Sequence, residues 1–260
     1  MSDNPFAHDY VAPDPAPVED RPEPAEKVGK GRVVYHRDLE QGTAAWFKAR
    51  LGILTASEMK KILSPTLKVA NNKDTRSHVY EIVGQRIAGF VEETFEGWDI
   101  LRGREDEIEA RLQYSLHYAP VEECGFITND KWGFTLGYSP DGLVGDDGLI
   151  ECKSRKIKYQ VETIIEYAAA NTIPTEFMLQ CQTALLVSER EWIDFISYSG
   201  GLPMSTTRVF PDPTYEDAIL SAAQHFENQC ADKRAIWDHM LASGARLIPT
   251  ERSDRGDIQV

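Results

Sequence analysis

Three side chains near the middle of the chain have types and spacing suited to hydrolysis. They are Asp141, Glu151 and Lys153, in Gly137-Tyr138-Ser139-Pro140-Asp141-Gly142-Leu143 and Gly148-Leu149-Ile150-Glu151-Cys152-Lys153. Between the apolar runs Gly142 to Val144 and Leu149 to Lys153 lies Gly145-Asp146-Asp147-Gly148, a turn signal that predicts a hairpin. Asp141 then starts one strand and Glu151 lies in the next, so the turn brings two carboxylates together. Alternation along the strand puts Glu151 and Lys153 on one side and Ile150 and Cys152 on the other. As a surface ion pair such a group is worth under about 1 kcal/mol. It suits Mg²⁺ better, a hard cation that takes oxygen ligands and keeps several waters. The matching chemistry is phosphodiester hydrolysis, in which the cation offsets charge on the phosphate and favours hydroxide, while a nearby ammonium orients the attacking water. A third acid from a helix would let a second ion bind, and Glu107 is the candidate.

The elements that must hold these groups follow from hydrophobic period. Trp46, Phe47 and Leu51 suggest a short helix ending near Gly52, after which Thr55-Ala56-Ser57-Glu58 enters another. Val79, Ile82, Val83, Ile87 and Phe90 keep the 3.6-residue period of an amphipathic helix. Residues 103–117 read as a helix with Ile108 and Leu112 inward and Glu107, Arg111 and Tyr114 on a neighbouring face. Short extended segments are expected at 120–127, 132–138, Gly142 to Val144 and Leu149 to Lys153. Helices follow at 158–170 and 175–187, strands near 191–198 and 204–210, and a helix over 214–243. Trp192, Ile193, Phe195 and Tyr198 are expected in a core strand, and Ile219, Leu220, Phe226, Ile236 and Trp237 on a helix packed against the sheet. This order predicts an α/β fold with a central mixed β-sheet flanked by helices.

Several separated motifs, taken in order, resemble one family. Trp46-Phe47-Lys48-Ala49-Arg50-Leu51-Gly52-Ile53-Leu54-Thr55-Ala56-Ser57-Glu58, then Gly103 to Arg111, Ser139-Pro140-Asp141-Gly142-Leu143, Gly148-Leu149-x-Glu151-x-Lys153 and Gln180-x-Gln182 are similar to the phage lambda exonuclease (YqaJ-like) family of PD-(D/E)xK nucleases. The resemblance spans about residues 40–200 and implies a restriction-endonuclease-like core. It also implies a Mg²⁺-dependent 5′ to 3′ exonuclease, Mn²⁺ being an alternative ion, that digests one strand of linear duplex DNA and leaves 3′ overhangs for recombination. By the same resemblance two ions are held by Asp141, Glu151 and Glu107 with the backbone carbonyl of Cys152, and Lys153 positions or activates water. Glu105 and Glu109 are near enough to Glu107 to leave the register of the third acid open. Arg50, Ser57, Ser139 and Gln180 match a pocket for the terminal 5′ phosphate. An arginine fork and helix-terminal amides suit such an anion. Taken alone, an arginine like Arg50 is more often in a surface ion pair, a serine like Ser57 more often a cap, and a glutamine like Gln180 more often exposed helix surface. Implied partners are DNA ends, a single-strand annealing protein and two further copies in a trimeric ring, in the cytoplasm of a bacterium hosting the phage or prophage. An endonuclease of the same fold, and an inactive DNA-binding adaptor, are the competing functions.

Composition limits the alternatives. The 260 residues carry 28 Lys+Arg against 42 Asp+Glu, a net charge of −14, which argues against a generally basic nucleic-acid surface but permits a local basic groove. The cluster Lys153, Arg155, Lys156 and Lys158 is the candidate for contact with the DNA backbone. Residues 1–30, with six of the 14 prolines, read as an acidic solvated arm, 31–245 as a single nuclease domain and 246–260 as a tail. No apolar run exceeds four residues, so neither a membrane span nor a secretory signal is expected. The four cysteines form no C-x-x-C pair, and His36, His78, His117, His225 and His239 show no metal-ligand spacing.

Overall fold

The computed structural model describes residues 31–92 and 98–252. The arm over 1–30 and the end of the tail from 253 lie outside the described residues. The α/β class with mixed strands holds, but the strands divide between two four-stranded sheets. The first has the order β1 (Val33–His36), β3 (Phe126–Asn129), β4 (Leu136–Tyr138), β2 (Leu54–Thr55), with β2 parallel to β4. In the second the order is β5 (Gly142–Val144), β6 (Gly148–Ser154), β7 (Trp192–Tyr198), β8 (Ser205–Val209), with β6 and β7 parallel. The chain passes between the sheets at Ser139-Pro140-Asp141, the stretch on which the expected chemistry depends.

Local chemistry accounts for the helices around them. Helix α1 (Ala44–Arg50) starts where the Thr43 side chain accepts from the Trp46 amide. A 3₁₀ helix, Ala56–Lys61, follows β2. Helix α2 (Lys73–Ala88) opens on a capping box between Asn72 and Thr75 and closes at Gly89 with φ of 77°. Helix α3 (Trp98–His117) lies across β6 and β7. The expected helix over 158–170 is broken into α4 (Ile157–Glu162), a π-helical turn Thr163–Tyr167 and a 3₁₀ turn Ala168–Ala170. Helix α5 (Thr175–Ser188) supplies much of the core, and α6 (Pro213–Ala242) begins with Asp212 as cap and Pro in its first turn.

Two expected faces are corrected. Ile108 and Leu112 of α3 are 60% and 51% exposed, whereas Ala110 and Tyr114 are buried. The small Ala110 seats the helix on the second sheet, and the Tyr114 hydroxyl donates to buried Asp194 of β7 at 2.6 Å, so the face carrying Glu107, Arg111 and Tyr114 turns inward. On α6, Ile219 and Phe226 are buried but Ile236 and Trp237 are exposed. Its 30 residues make a rod of about 45 Å. It packs mainly on α2 and α5, and α2 has only 16 residues. Its last turns run past that support. The strand expected at 120–127 starts at Phe126, with Glu122 making only an isolated bridge to Leu143, and the one expected at 132–138 is confined to Leu136–Tyr138. Strands β1 and β2 were not expected, because two to four residues carry too little periodicity to be read.

The hairpin forms as expected. Gly142 pairs with Ile150 and Val144 with Gly148 around a turn at residues 145–147. Buried Arg190 donates from Nη1 to the carbonyls of Gly145 at 2.9 Å and Gly148 at 2.6 Å, which ties the turn to the α5–β7 junction. Beyond Ile150 the edge of β6 facing β5 has no strand partner among the described residues, and the site is built there.

Candidate active site

Asp141 and Glu151 reach this open edge from opposite arms of the hairpin. The Cys152 amide donates to Asp141 Oδ2 at 2.6 Å. Because the N–H and C=O of one strand residue point to the same side, the Cys152 carbonyl also faces the edge. Glu151, 1% exposed, is held by three donors: Tyr138 Oη to its Oε2 at 2.9 Å, and Lys153 Nζ and Gln180 Nε2 to its Oε1. As alternation requires, Ile150 and Cys152 face the other way, packed with Ala110, Tyr114, Val144 and Ile196.

Glu107 comes from α3. Among the acids around it, Glu105 is exposed and Asp106 accepts from the Ser154 hydroxyl, whereas Glu107 acts on Asp141 and is itself acted on by Glu151. Burial, then Glu151, then Glu107 push the Asp141 carboxyl well above its usual range. Glu107 is raised too, first by burial, with Glu151 adding to it and Arg111 opposing. Asp141, Glu107 and Glu151, with a strand carbonyl beside them, offer hard-oxygen donors of the kind that fit a divalent cation. Burial alone would lower Lys153, but Glu151 and Asp141 outweigh it and hold the group above its ordinary value, as an ammonium.

The expected phosphate-pocket residues are brought together only in part. Arg50 Nη1 donates to Ser139 Oγ at 2.6 Å, and its guanidinium stacks 4.3 Å from the Trp46 ring, one helical turn earlier on α1. Burial lowers its pKa while Glu58 raises it. Arg50 also lines a cleft of about 820 Å³ with Trp46, Lys48, Thr55, Glu58 and Gln85. Ser57 is exposed in the first turn of the 3₁₀ helix, its hydroxyl 3.3 Å from that of Thr55. Gln180 bonds to Glu151 rather than to Arg50 or Ser139. The 3₁₀ helix of Ser57, α5 of Gln180 and strand β4, which Ser139 follows directly, nonetheless pack on one another. In the basic cluster, Arg155 is committed to Glu176 at 2.8 Å and lies over Tyr159 and Phe177, while Lys156 and Lys158 are exposed at the start of α4.

Sequence spacing missed two features. Tyr138 stood inside the quoted motif without a role, since nothing local shows its hydroxyl reaching the second sheet. Glu58, His78 and Glu81 offer ligand atoms within 4.8 Å of one another, a tighter trio than Glu107, Asp141 and Glu151. Lys61 Nζ already sits among them, 3.0 Å from Glu58, 3.3 Å from His78 Nδ1 and 3.4 Å from Glu81, so an ammonium supplies the positive charge there.

A profile of the YqaJ-like viral recombinase domain matches residues 45–191. The chain belongs to that family. No curated protein matches it in sequence. Among solved structures, an alkaline exonuclease, LHK-Exo from Laribacter hongkongensis, is 29% identical with a TM-score of 0.68. The alignment covers 78% of this chain and 100% of that one. The structure of LHK-Exo in complex with dAMP gives 30% identity and a TM-score of 0.69 over the same coverage. The matched segment of the family contains every residue assigned above to the carboxylate cluster and to the Arg50–Ser139 pair. No helix among the described residues is long and apolar enough to cross a membrane.

Proposed function

We propose that the protein is a metal-dependent 5′ to 3′ exonuclease that digests one strand of linear double-stranded DNA and leaves 3′ overhangs for phage-type recombination. That it is an exonuclease follows from its family and its likeness to the alkaline exonuclease. Polarity, cofactor and product are our inference. One observation carries them: Ser139, bonded to Arg50, and Asp141, in the carboxylate cluster, are two residues apart. Two residues of extended chain span at most about 7 Å, so an anion held by Arg50 lies beside the acids. A terminal phosphate bound there places the next linkage at the cluster, and end recognition becomes positioning for cleavage. The relative crystallised with dAMP, a deoxynucleoside monophosphate such as end-wise digestion releases, supports this reading.

Asp141, Glu151, Glu107 and the Cys152 carbonyl would hold the ion or ions, Mg²⁺ or Mn²⁺. A bound divalent cation offsets charge building on the phosphate and favours hydroxide at neutral pH. Lys153, kept as an ammonium by its acidic neighbours, donates to the attacking water or the phosphate. Gln180 donates to Glu151. The exposure of Lys156 and Lys158 supports their contact with the DNA backbone. We take 31–245 as the nuclease unit, acting as a homotrimeric ring with a single-strand annealing protein, in the bacterial host of a phage or prophage. The exposed stripe Ile108, Leu112 and Leu116 on α3 supports such an assembly by offering it an apolar surface.

Linear and covalently closed circular duplex, incubated in Mg²⁺, test the proposal. The linear form with 5′ phosphates is expected to shorten from its 5′ ends while the circle persists. Rapid cutting of the circle would favour an endonuclease, and survival of both would favour a non-cleaving adaptor.

A further inference from the structure

Tyr138 closes β4 in the first sheet, yet the only hydrogen bond of its hydroxyl shorter than 3.5 Å among the described residues crosses to the second sheet, to Glu151 Oε2 at 2.9 Å. The residue is 1% exposed, and a buried phenol without a partner is costly where phenylalanine would fill the same space freely. Its partner is one particular oxygen of the central carboxylate. Each carboxylate oxygen offers two lone pairs. On Oε1 both are engaged, by Lys153 and by Gln180. On Oε2 only Tyr138 is bonded among the described residues, which leaves one lone pair open there. The same short segment bonds Arg50 through Ser139 and the Cys152 amide through Asp141, so it fixes both carboxylates and the arginine from one place.

We propose that Tyr138 is a positioning residue that fixes Glu151 Oε2 across the two sheets and makes it the oxygen Glu151 presents to a divalent cation. This rests on Glu151 being a metal ligand, as proposed above. A purely structural hydroxyl would affect stability and nothing else. A positioning hydroxyl must affect how tightly the cation is held.

Calorimetric titration of the full chain with Mn²⁺, without DNA, separates the two. Wild type is expected to bind Mn²⁺ and digest linear duplex; if it does neither, the proposed function has failed before Tyr138 is tested. With wild type active, Tyr138→Phe is expected to weaken Mn²⁺ binding about tenfold, at the low end of the ~10- to 100-fold loss that follows removal of a hydrogen bond to a metal ligand. Hydrolysis should fall in kcat, with KM for DNA ends little changed, and recover at high metal concentration. Mn²⁺ binding equal to wild type in a folded Tyr138→Phe chain overturns the proposal. Gln180→Leu supplies a second test that does not depend on the folding of the first variant. It frees a lone pair on Oε1, so it should weaken Mn²⁺ far less than tenfold if Oε2 is the ligand atom. A loss of tenfold or more on Gln180→Leu assigns the ion to Oε1 and removes Tyr138 from its role.

Discussion

Arg50 shows how a single residue acquires its chemistry from its surroundings. Its guanidinium lies between the rings of Trp46 and Phe126, which fixes its plane, and a single bond to Ser139 leaves other donors of its fork available to a phosphate. Charge-assisted bonds of this kind are worth about 1.5–3 kcal/mol. Arg50→Ala is therefore expected to slow digestion of 5′-phosphorylated ends by about 10- to 100-fold, at 1.4 kcal/mol per decade, while 5′-hydroxyl ends change little. Comparing initial rates on the two kinds of end checks this, and an equal loss on both would remove Arg50 from end recognition. The types of Arg50, Asp141, Glu151 and Lys153 were legible from local motifs. The partners of Tyr138 and Gln180 were not, because each reaches Glu151 across a sequence gap that no period encodes.

At the scale of elements, the β5–β6 hairpin is what turns two distant carboxylates into neighbours, and it tolerates little change. A Cβ at Gly148 would lie 2.1 Å from the Trp192 ring. That ring cannot swing aside easily, since Arg208 stacks on it at 3.5 Å and is tied by two 2.8 Å bonds to buried Asp194. Gly148→Ala is expected to destabilise the fold by about 1–3 kcal/mol through overpacking. A lower urea midpoint would show it, and an unchanged midpoint would mean the ring yields. The hairpin, α5 and β7 were readable because apolar period and turn residues agree along each of them. The inward face of α3 was not. Its more apolar residues, Ile108, Leu112 and Leu116, point outward, while Tyr114 is drawn in by Asp194 and takes Glu107 with it.

For the molecule as a whole, that outward apolar stripe and a charge of −14 pull in different directions. The charge opposes close approach to DNA over most of the surface, so binding must depend on a local basic region or on a shape that encloses the duplex. The trimeric ring proposed above would meet the second condition, and the stripe would serve as its contact surface. Light scattering on the full chain is expected to give three times the chain mass, and Leu112→Glu to lower it. A single-chain mass in wild type would dispose of the ring, and an unchanged mass in Leu112→Glu would place the interface elsewhere.

Residue types, the turn between the carboxylates and the order of helices and strands can all be read along the chain, because turn chemistry and hydrophobic period are local properties. Which acid of α3 faces the site, which oxygen of Glu151 stays open, how the strands divide into two sheets and why a lysine fills the Glu58–His78–Glu81 trio belong to the folded state alone. Those depend on distances between segments tens of residues apart, set by packing rather than by spacing along the sequence.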